Sequence, residues 1–387
     1  MTNPRQYRRL IGESQKEIYT LDNCRLRRGS TGSANGMISN LELRVQTIIV
    51  GAEFDAGDEL AFDSIEVRPA FLERWAPADW LDEEYYWREQ GTRGRVQLTV
   101  KQVGPETAQI MNSLKLTIGS SFHVSGDRYS ARALHNDRHC CVKSDRLLPL
   151  GELSDLANDF QDLVSIATGR IAAFDKIMVS HPDVAIEASD RRMHPQRIEV
   201  YRQWRAVAES DGKPPEHYNL YFTYQDFGGV EVVARWMNAA SAYRGILGRL
   251  MATRYNRHPY LEDQALNRFV TLEDLHRAWT STENKIYKDR LLELADFAGD
   301  PFTELVGHGR VDQWAKHVKE ERVKLAHHLG RPADHDMMLV YYLSQSAYWL
   351  AVLCLLREAD APQATFDRWA NHDRIGKLSK ILGTVLP

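Results

Sequence analysis

Cysteine is scarce in this chain. Cys24, Cys140, Cys141 and Cys354 show no C-x-x-C spacing and no disulfide framework, so a stapled secreted fold is excluded and a reducing compartment is expected. Cys140 and Cys141 are neighbours and would point to opposite faces of any strand. An excess of positive charge is also missing: 49 Lys and Arg stand against 53 Asp and Glu, a net of -4, which argues against general coating of nucleic acid. The opening MTNPRQYRRLIGES lacks the apolar core of a signal peptide, so a cytoplasmic location is expected. Met337 to Leu356 has the length of a membrane span, but Ser344-Gln345-Ser346 and three tyrosines interrupt it. It reads as a buried bundle helix, with no membrane partner. Gly29 to Gly36 is rich in glycine and serine, yet no Gly-Lys-Ser/Thr follows, so turn chemistry is expected there and not a phosphate cradle. Repeats and low-complexity segments are absent.

What is present suits a soluble globular chain: 387 residues, 43% hydrophobic and 26% charged, are enough for two or three domains with their own cores. From Leu41 to about Lys143 the pattern is period two, in the runs LELRVQTIIV, ELAFDSIEV, RVQLTVKQV, LKLTIGSSFHV and RYSARAL. Gly, Pro, Asp and Ser punctuate them, which points to an antiparallel, sandwich-like sheet. Trp75, Trp80, Tyr85, Tyr86 and Trp87 crowd an acidic stretch read as a long loop laid on the sheet, although such a cluster can also stack a sugar, a base or a partner. His135-x3-His139-Cys140-Cys141 falls on strand and turn, where i and i+4 ligands do not converge, so no metal site is assigned to it.

A helix near 153–167 follows, with Leu153, Leu156, Ala157, Phe160, Leu163, Val164 and Ala167 on one stripe and Gly169 closing it. Three more strand-like runs, AAFDKIMV, RIEVYRQW and YNLYFTY, complete a β-rich domain over residues 1–226. Gly228-Gly229 reads as a hinge. Beyond it, residues 228–387 read as helices near 230–254, 263–279, 283–297, 311–328, 335–358 and 366–382, joined by short loops into an antiparallel bundle. The fold class is therefore α+β, a β-rich domain followed by an all-α one. After Gly228 there are 21 Lys and Arg against 20 Asp and Glu, a net of +1, so an RNA site would be a local basic patch in the helical part.

That patch and a histidine cluster coincide. His308, His317, His327, His328 and His335 place five of fourteen histidines within 28 residues. Between Lys316 and Arg331 five Lys and Arg face Glu320 and Glu321 alone. No H-E-x-x-H spacing is present, and Glu273-x-x-His276 has no second copy to build a di-iron bundle. General acid–base use of histidine is the better reading, with a structural histidine cluster as the alternative. Arg322 and His327 or His328 near a helix end pair a permanent cation with one that titrates near neutrality.

Arg322-Val-Lys-Leu-Ala-His327 resembles the R-x4-H motif of HEPN ribonucleases, in particular the ApeA-type HEPN proteins of bacterial anti-phage defence. Leu272-Glu273-Asp274-Leu275-His276-Arg277 resembles a second segment of that group, and the order of β region then helical domain agrees. The resemblance implies a metal-independent endoribonuclease without cofactors, cutting RNA, with tRNA as candidate, to 2',3'-cyclic phosphate ends. Arg322 and His327 would be catalytic, and His328, Glu273 and His276 supporting. Lys316, Lys319, Lys324 and Arg331 would bind RNA. It further implies a homodimer through the helical domain, an abortive-infection role, and a phage-derived trigger sensed by the N-terminal domain. In that family the residue after the Arg is usually polar, and here it is Val323. The alternative is a catalytically silent dimerisation or nucleotide-binding module with a ligand-sensing β domain.

Overall fold

The computed structural model describes residues 6–14, 17–31, 38–87, 93–111, 113–127, 129–187, 193–202, 213–256, 260–327 and 336–386. Strands β1 (Gln6–Glu13), β2 (Ile18–Thr31), β3 (Ile38–Val50) and β4 (Ala61–Pro69) open the chain. A short helix α1 (Leu72–Trp75) and a hairpin β5 (Leu81–Trp87) and β6 (Arg93–Val100) follow. Next come β7 (Glu106–Ile110), β8 (Leu114–Gly126) and β9 (Arg132–Pro149), helix α2 (Leu150–Thr168), β10 (Phe174–Ser180), β11 (Ala185–Glu187), β12 (Met193–Pro195) and β13 (Ile198–Arg202). Nine of these strands form one antiparallel sheet in the order β1-β2-β3-β13-β10-β4-β9-β8-β7. The α+β order expected from the sequence is therefore what the structure has. The layer on the sheet's core is α2, which packs on β4 and β9.

Helix α2 starts where Pro149 leaves the sheet and stops at Gly169, whose φ of 66° is the left-handed conformation a C-cap needs. One apolar stripe was expected, yet Asp159, Gln161, Asp162 and Ser165 are buried too. Their partners explain this. Gln161 donates to the Ala172 carbonyl at 2.9 Å, and the Ser165 hydroxyl accepts from the Ala172 N–H at 3.0 Å. Asp159 accepts from Arg244 at 2.7 Å and Asp162 from the Tyr255 hydroxyl at 2.5 Å, both from the helical region.

YNLYFTY is not a strand. Its backbone bonds go to α1 and α2, with the Tyr221 N–H on Ala167 and the Tyr224 N–H on Trp75, and its core residues Tyr221, Phe222 and Tyr224 are buried at that corner. The aromatic stretch is likewise not one loop: Trp75 is buried at the end of α1, while Tyr85 and Tyr86 stand exposed on the β5–β6 hairpin. Of the Gly29–Gly36 segment, Gly29, Ser30 and Thr31 belong to β2, and residues 32–37 lie outside the described residues.

Beyond Phe227 the chain is helical: α3 (Gly229–Ala242), α4 (Arg244–Tyr255), α5 (Leu261–Thr280), α6 (Tyr287–Ala298), α7 (Asp300–Val306), α8 (Val311–His327), α9 (Met337–Glu358), α10 (Gln363–Ala370) and α11 (Asp373–Val385). Where one helix was expected near 230–254, a break at Tyr243 makes α3 and α4. The expected helix near 366–382 divides into α10 and α11 because the extended His372 (ψ 131°) caps α11, its side chain accepting from the Arg374 N–H. Helix α7 was not anticipated; Gly299 at φ 75° ends α6, and Pro301 sits in the first turn that follows. Gly228-Gly229 is a tight turn more than a hinge, since a Cβ on Gly228 would lie 2.7 Å from Val232 and 3.0 Å from Pro362. The indole of Trp236 on α3 donates to the Asp159 carbonyl at 2.9 Å, so α2 and α3 share one seam.

Helix α9 is the bundle's axis, packed on α3, α5, α6, α7, α8 and α11. Among the described residues it alone is long and apolar enough to cross a membrane, and 78% of that window is buried inside the protein. Asp336 caps it, accepting from the Met338 and Leu339 N–H groups at 3.0 and 3.1 Å.

Candidate active site

Helix α8 lays Trp314, Ala315, Val318 and Glu321 inward, a spacing of three and four that buries one face. At about 100° per residue, Arg322 falls on the flank of that face and His327 about 140° farther round, among Lys316, Lys319 and Val323 on the outer side. The contacts agree with this geometry. Arg322 Nη2 donates to Glu273 Oε2 of α5 at 2.5 Å, and its guanidinium lies 4.7 Å from the centre of the Tyr287 ring of α6. The other Glu273 oxygen, Oε1, accepts from Arg277 at 2.6 Å. One carboxylate thus serves two guanidiniums, leaving a local net charge of one positive unit. Arg322 Nε is buried without an acceptor among the described residues. Tyr287 donates its hydroxyl to the Phe269 carbonyl at 2.8 Å. Burial holds that phenol far above its ordinary pKa, Arg322 opposing and Glu273 adding, so it is a scaffold and not a base.

His276 is completely buried, and its ring meets Thr280, Arg290 and Glu293. Arg290 Nη1, which can only donate, meets its Nδ1 at 3.0 Å, so Nε2 carries the proton and faces Glu293 Oε2 at 2.6 Å. Lys285 reaches the same carboxylate, and Lys285 first and His276 second hold Glu293 below its ordinary pKa. Arg290 spends its remaining donors on the carbonyls of Thr282, Glu283 and Lys285, fixing the α5–α6 loop.

Of the residues singled out from the sequence, the structure therefore brings Glu273 to Arg322, but joins neither His276 nor His327 to them within one chain. His327 ends α8, its side chain exposed and without a hydrogen bond among the described residues. Lys316 and Lys319 are exposed, and Lys324 is exposed but tied to the buried Glu321 at 2.6 Å. His328 and Arg331 lie outside the described residues, as does His335. Among the remaining clustered histidines, His308 is exposed and His317 approaches Glu320 at 3.8 Å. No group of three or more His, Cys, Asp or Glu among the described residues is placed to share a metal ion. On β9, His135 stacks on His123 with centroids 4.5 Å apart, and His139 faces Glu66 at 3.9 Å. Sequence reasoning missed Tyr287, Arg290 and Glu293. For Tyr287 and Arg290 the local signal is that they repeat with Leu291 and Leu294 at helical spacing, which marks a buried face but not what lies across it; Glu293 is off that face and carries no such signal.

A nine-stranded antiparallel domain sealed by α2, followed by a helical bundle with a clamped arginine on α8, defines a two-part α+β protein. The family model described as ApeA N-terminal domain 1 matches residues 2–236, more than half of the chain. The chain belongs to the ApeA family and is an ApeA-type anti-phage defence protein. The match runs ten residues past 226 into α3, the helix that seals α2. No curated protein and no solved structure matches the chain.

Proposed function

We propose that this protein is a metal-independent HEPN-type endoribonuclease, an abortive-infection effector acting in the cytoplasm on RNA, with tRNA as the candidate substrate. The observation that carries it is the clamped Arg322 on the same helix as an exposed His327, behind an ApeA N-terminal domain. A neutral His327 takes the proton from a ribose 2'-OH, and that oxygen attacks the adjacent phosphorus. Arg322 offsets the charge on the equatorial oxygens, the P–O5' bond breaks, and the 5'-oxygen leaves as a hydroxyl with a proton from water while the His327 imidazolium returns its own to solvent, so a 2',3'-cyclic phosphate remains. Glu273 and Tyr287 hold the guanidinium in one orientation while the shared charge stays positive. Because Arg322 and His327 diverge by about 140° on one helix, the reading includes a homodimer through the helical domain, in which a second copy completes the cleft. Lys316, Lys319 and Lys324 flank it for the RNA backbone, and the N-terminal domain restrains or triggers the nuclease in response to a phage-derived signal.

The test is single-turnover cleavage of total tRNA in EDTA. Arg322→Ala and His327→Ala should each lower the rate by about 100- to 10,000-fold with the melt of His327→Ala unchanged, whereas His328→Ala lowers it modestly. Loss of activity with His328→Ala but not His327→Ala reassigns the base. Sedimentation should give a dimer. Val323, 47% exposed on the lysine face, favours the second reading, a silent dimerisation module, and inactive wild type in that assay would support it.

A further inference from the structure

Charge is not spread evenly through the N-terminal part of the chain. Residues 1–46 hold eight Lys and Arg against four Asp and Glu, a net of +4, and residues 47–227 hold 20 against 29, a net of -9. The fold gathers that positive charge on one face. Where β1, β2 and β3 pair, Gln6, Arg25 and Arg44 stand in one row across the three strands, and the period of two puts Arg8, Asn23 and Gln46 beside them on the same side. The alternating Thr20, Cys24 and Ile49 are buried in the core, so this is the sheet's outer side. Arg8, Arg25, Arg28 and Arg44 are exposed and form no ion pair among the described residues. Glu42, opposite Arg28, pairs with Arg27 at 3.3 Å. Arg25 directly opposite Arg44 is a like-charge pair, which destabilises a sheet. Folding gives no reason to set two guanidiniums there, whereas an incoming phosphate does.

The same face changes character along the strands. Leu10, Leu21, Ile48 and Tyr201 form one row across β1, β2, β3 and β13, and Tyr19 stands in the row after it. Tyr201 is 53% exposed. The tyrosine hydroxyls donate to carboxylates, Tyr19 to Glu17 at 2.7 Å and Tyr201 to Glu199, so negative charge marks the aromatic end and positive charge the other. Tyr19 and Arg25 are six residues apart on β2. That is about 20 Å of strand. An open face of this length does not enclose a small molecule; it suits a strand whose bases stack on rings while its phosphates meet guanidiniums. Between the two ends the amides of Gln6, Asn23 and Gln46 form a chain, Gln6 donating to Asn23 at 3.3 Å and Asn23 to Gln46. An amide both donates and accepts, as a ribose 2'-OH does, and that hydroxyl is what separates RNA from DNA.

We propose that the outer face of β1, β2, β3 and β13 binds single-stranded RNA, with phosphates on Arg8, Arg25 and Arg44 and a base on Tyr201. The proposal deepens the ribonuclease reading, on which it rests for RNA as the substrate class: the β-rich domain holds the RNA that the helical domain cuts.

Fluorescence anisotropy on the full chain across a salt series tests it, with a labelled oligouridine of about 12 nucleotides as probe and an Arg322→Ala background that keeps the RNA whole. Affinity should be micromolar at low salt. Arg25→Ala with Arg44→Ala should weaken binding at least about tenfold and reduce the slope of log affinity against log salt by about 1.4, the loss of two phosphate contacts. The melting temperature of that variant should hold or rise, because a like-charge pair is gone. Tyr201→Ala should weaken binding about tenfold with the slope unchanged, and Tyr201→Phe should restore it. Oligodeoxyuridine of the same length should bind at least about fivefold more weakly. Unchanged affinity in the folded double variant, or oligodeoxyuridine binding as tightly as oligouridine, would overturn the proposal; if the double variant does not fold, unchanged affinity in Tyr201→Ala overturns it. Wild type that cuts no tRNA while these variants still lose binding ends the ribonuclease reading alone, and cleaving wild type with unchanged binding in the double variant ends this proposal alone.

Discussion

Around Arg322 the chain supplies its own counter-charges: Arg322 and Arg277 share Glu273, and Lys285 and His276 share Glu293. Around Arg268, on the same helix α5 but about 140° round from Glu273, a buried guanidinium and the part-buried one of Arg254 share the Tyr348 ring and meet no carboxylate among the described residues. The first arrangement fixes a side chain's direction from within, as a positioning site requires. A single helix thus separates a cluster whose guanidiniums meet carboxylates from one whose guanidiniums meet only neutral groups among the described residues.

The comparison breaks most directly at Glu273. Glu273→Ala leaves Arg322 and Arg277 facing each other without a carboxylate and should lower stability by about 1–3 kcal/mol, a loss of several degrees in a thermal melt. Glu273→Gln should lose less, since an amide oxygen still accepts. If both variants melt with wild type, the carboxylate does not organise the cluster, and the contrast with Arg268 is void.

A smaller effect is expected on the outer face of α8. Lys316→Ala with Lys319→Ala should weaken binding of single-stranded RNA and reduce the slope of log affinity against log salt by about 0.7 for each phosphate no longer neutralised, with the melt unchanged. An unchanged slope in filter binding across a salt series would remove these lysines from the RNA face. It would leave Arg322 without a basic surface beside it.

The smallest effect concerns His372, which caps α11 next to Arg374 and donates through Nε2 to the Asn219 carbonyl at 3.1 Å. Burial first lowers its pKa from the ordinary 6.5, Asn219 and Asp373 opposing, Arg374 and Arg368 adding. The unfolded chain therefore takes up this proton before the folded one does. Stability is fully present above pH 6.5 and is lost as pH falls through 6.5 toward the folded value. His372→Asn keeps a capping side chain and should flatten that part of the melting temperature against pH curve. A profile unchanged by the substitution would show that His372 does not titrate on unfolding.

Much of the fold could be read from the residues because its signals are local. Period-two runs became β3, β4, β8 and β9, and the stripe from Leu153 to Ala167 became α2, three residues longer at its start. The errors arose where distant partners outvoted local pattern. YNLYFTY alternates like a strand, but α1 and α2 take its backbone bonds. The helices expected near 230–254 and 366–382 were divided by backbone breaks at Tyr243 and His372 that periodicity does not report. At the candidate site, Glu273 and Arg322 were both singled out from motifs, yet their contact spans 49 residues and only packing of α5 on α8 makes it.

The sequence alone determined the class of this protein: scarce cysteine, a near-neutral charge, strands before helices, and the two short motifs on α5 and α8 follow from residue identity and spacing along single elements. Tertiary structure decided the rest. It turned His276 inward to Arg290, set Tyr287 under Arg322, left His327 on the opposite flank of its own helix, and brought Arg254 and Arg268 onto one tyrosine ring. The physical reason is that charge pairing and desolvation depend on distances between elements far apart in the chain, and no local periodicity encodes those distances.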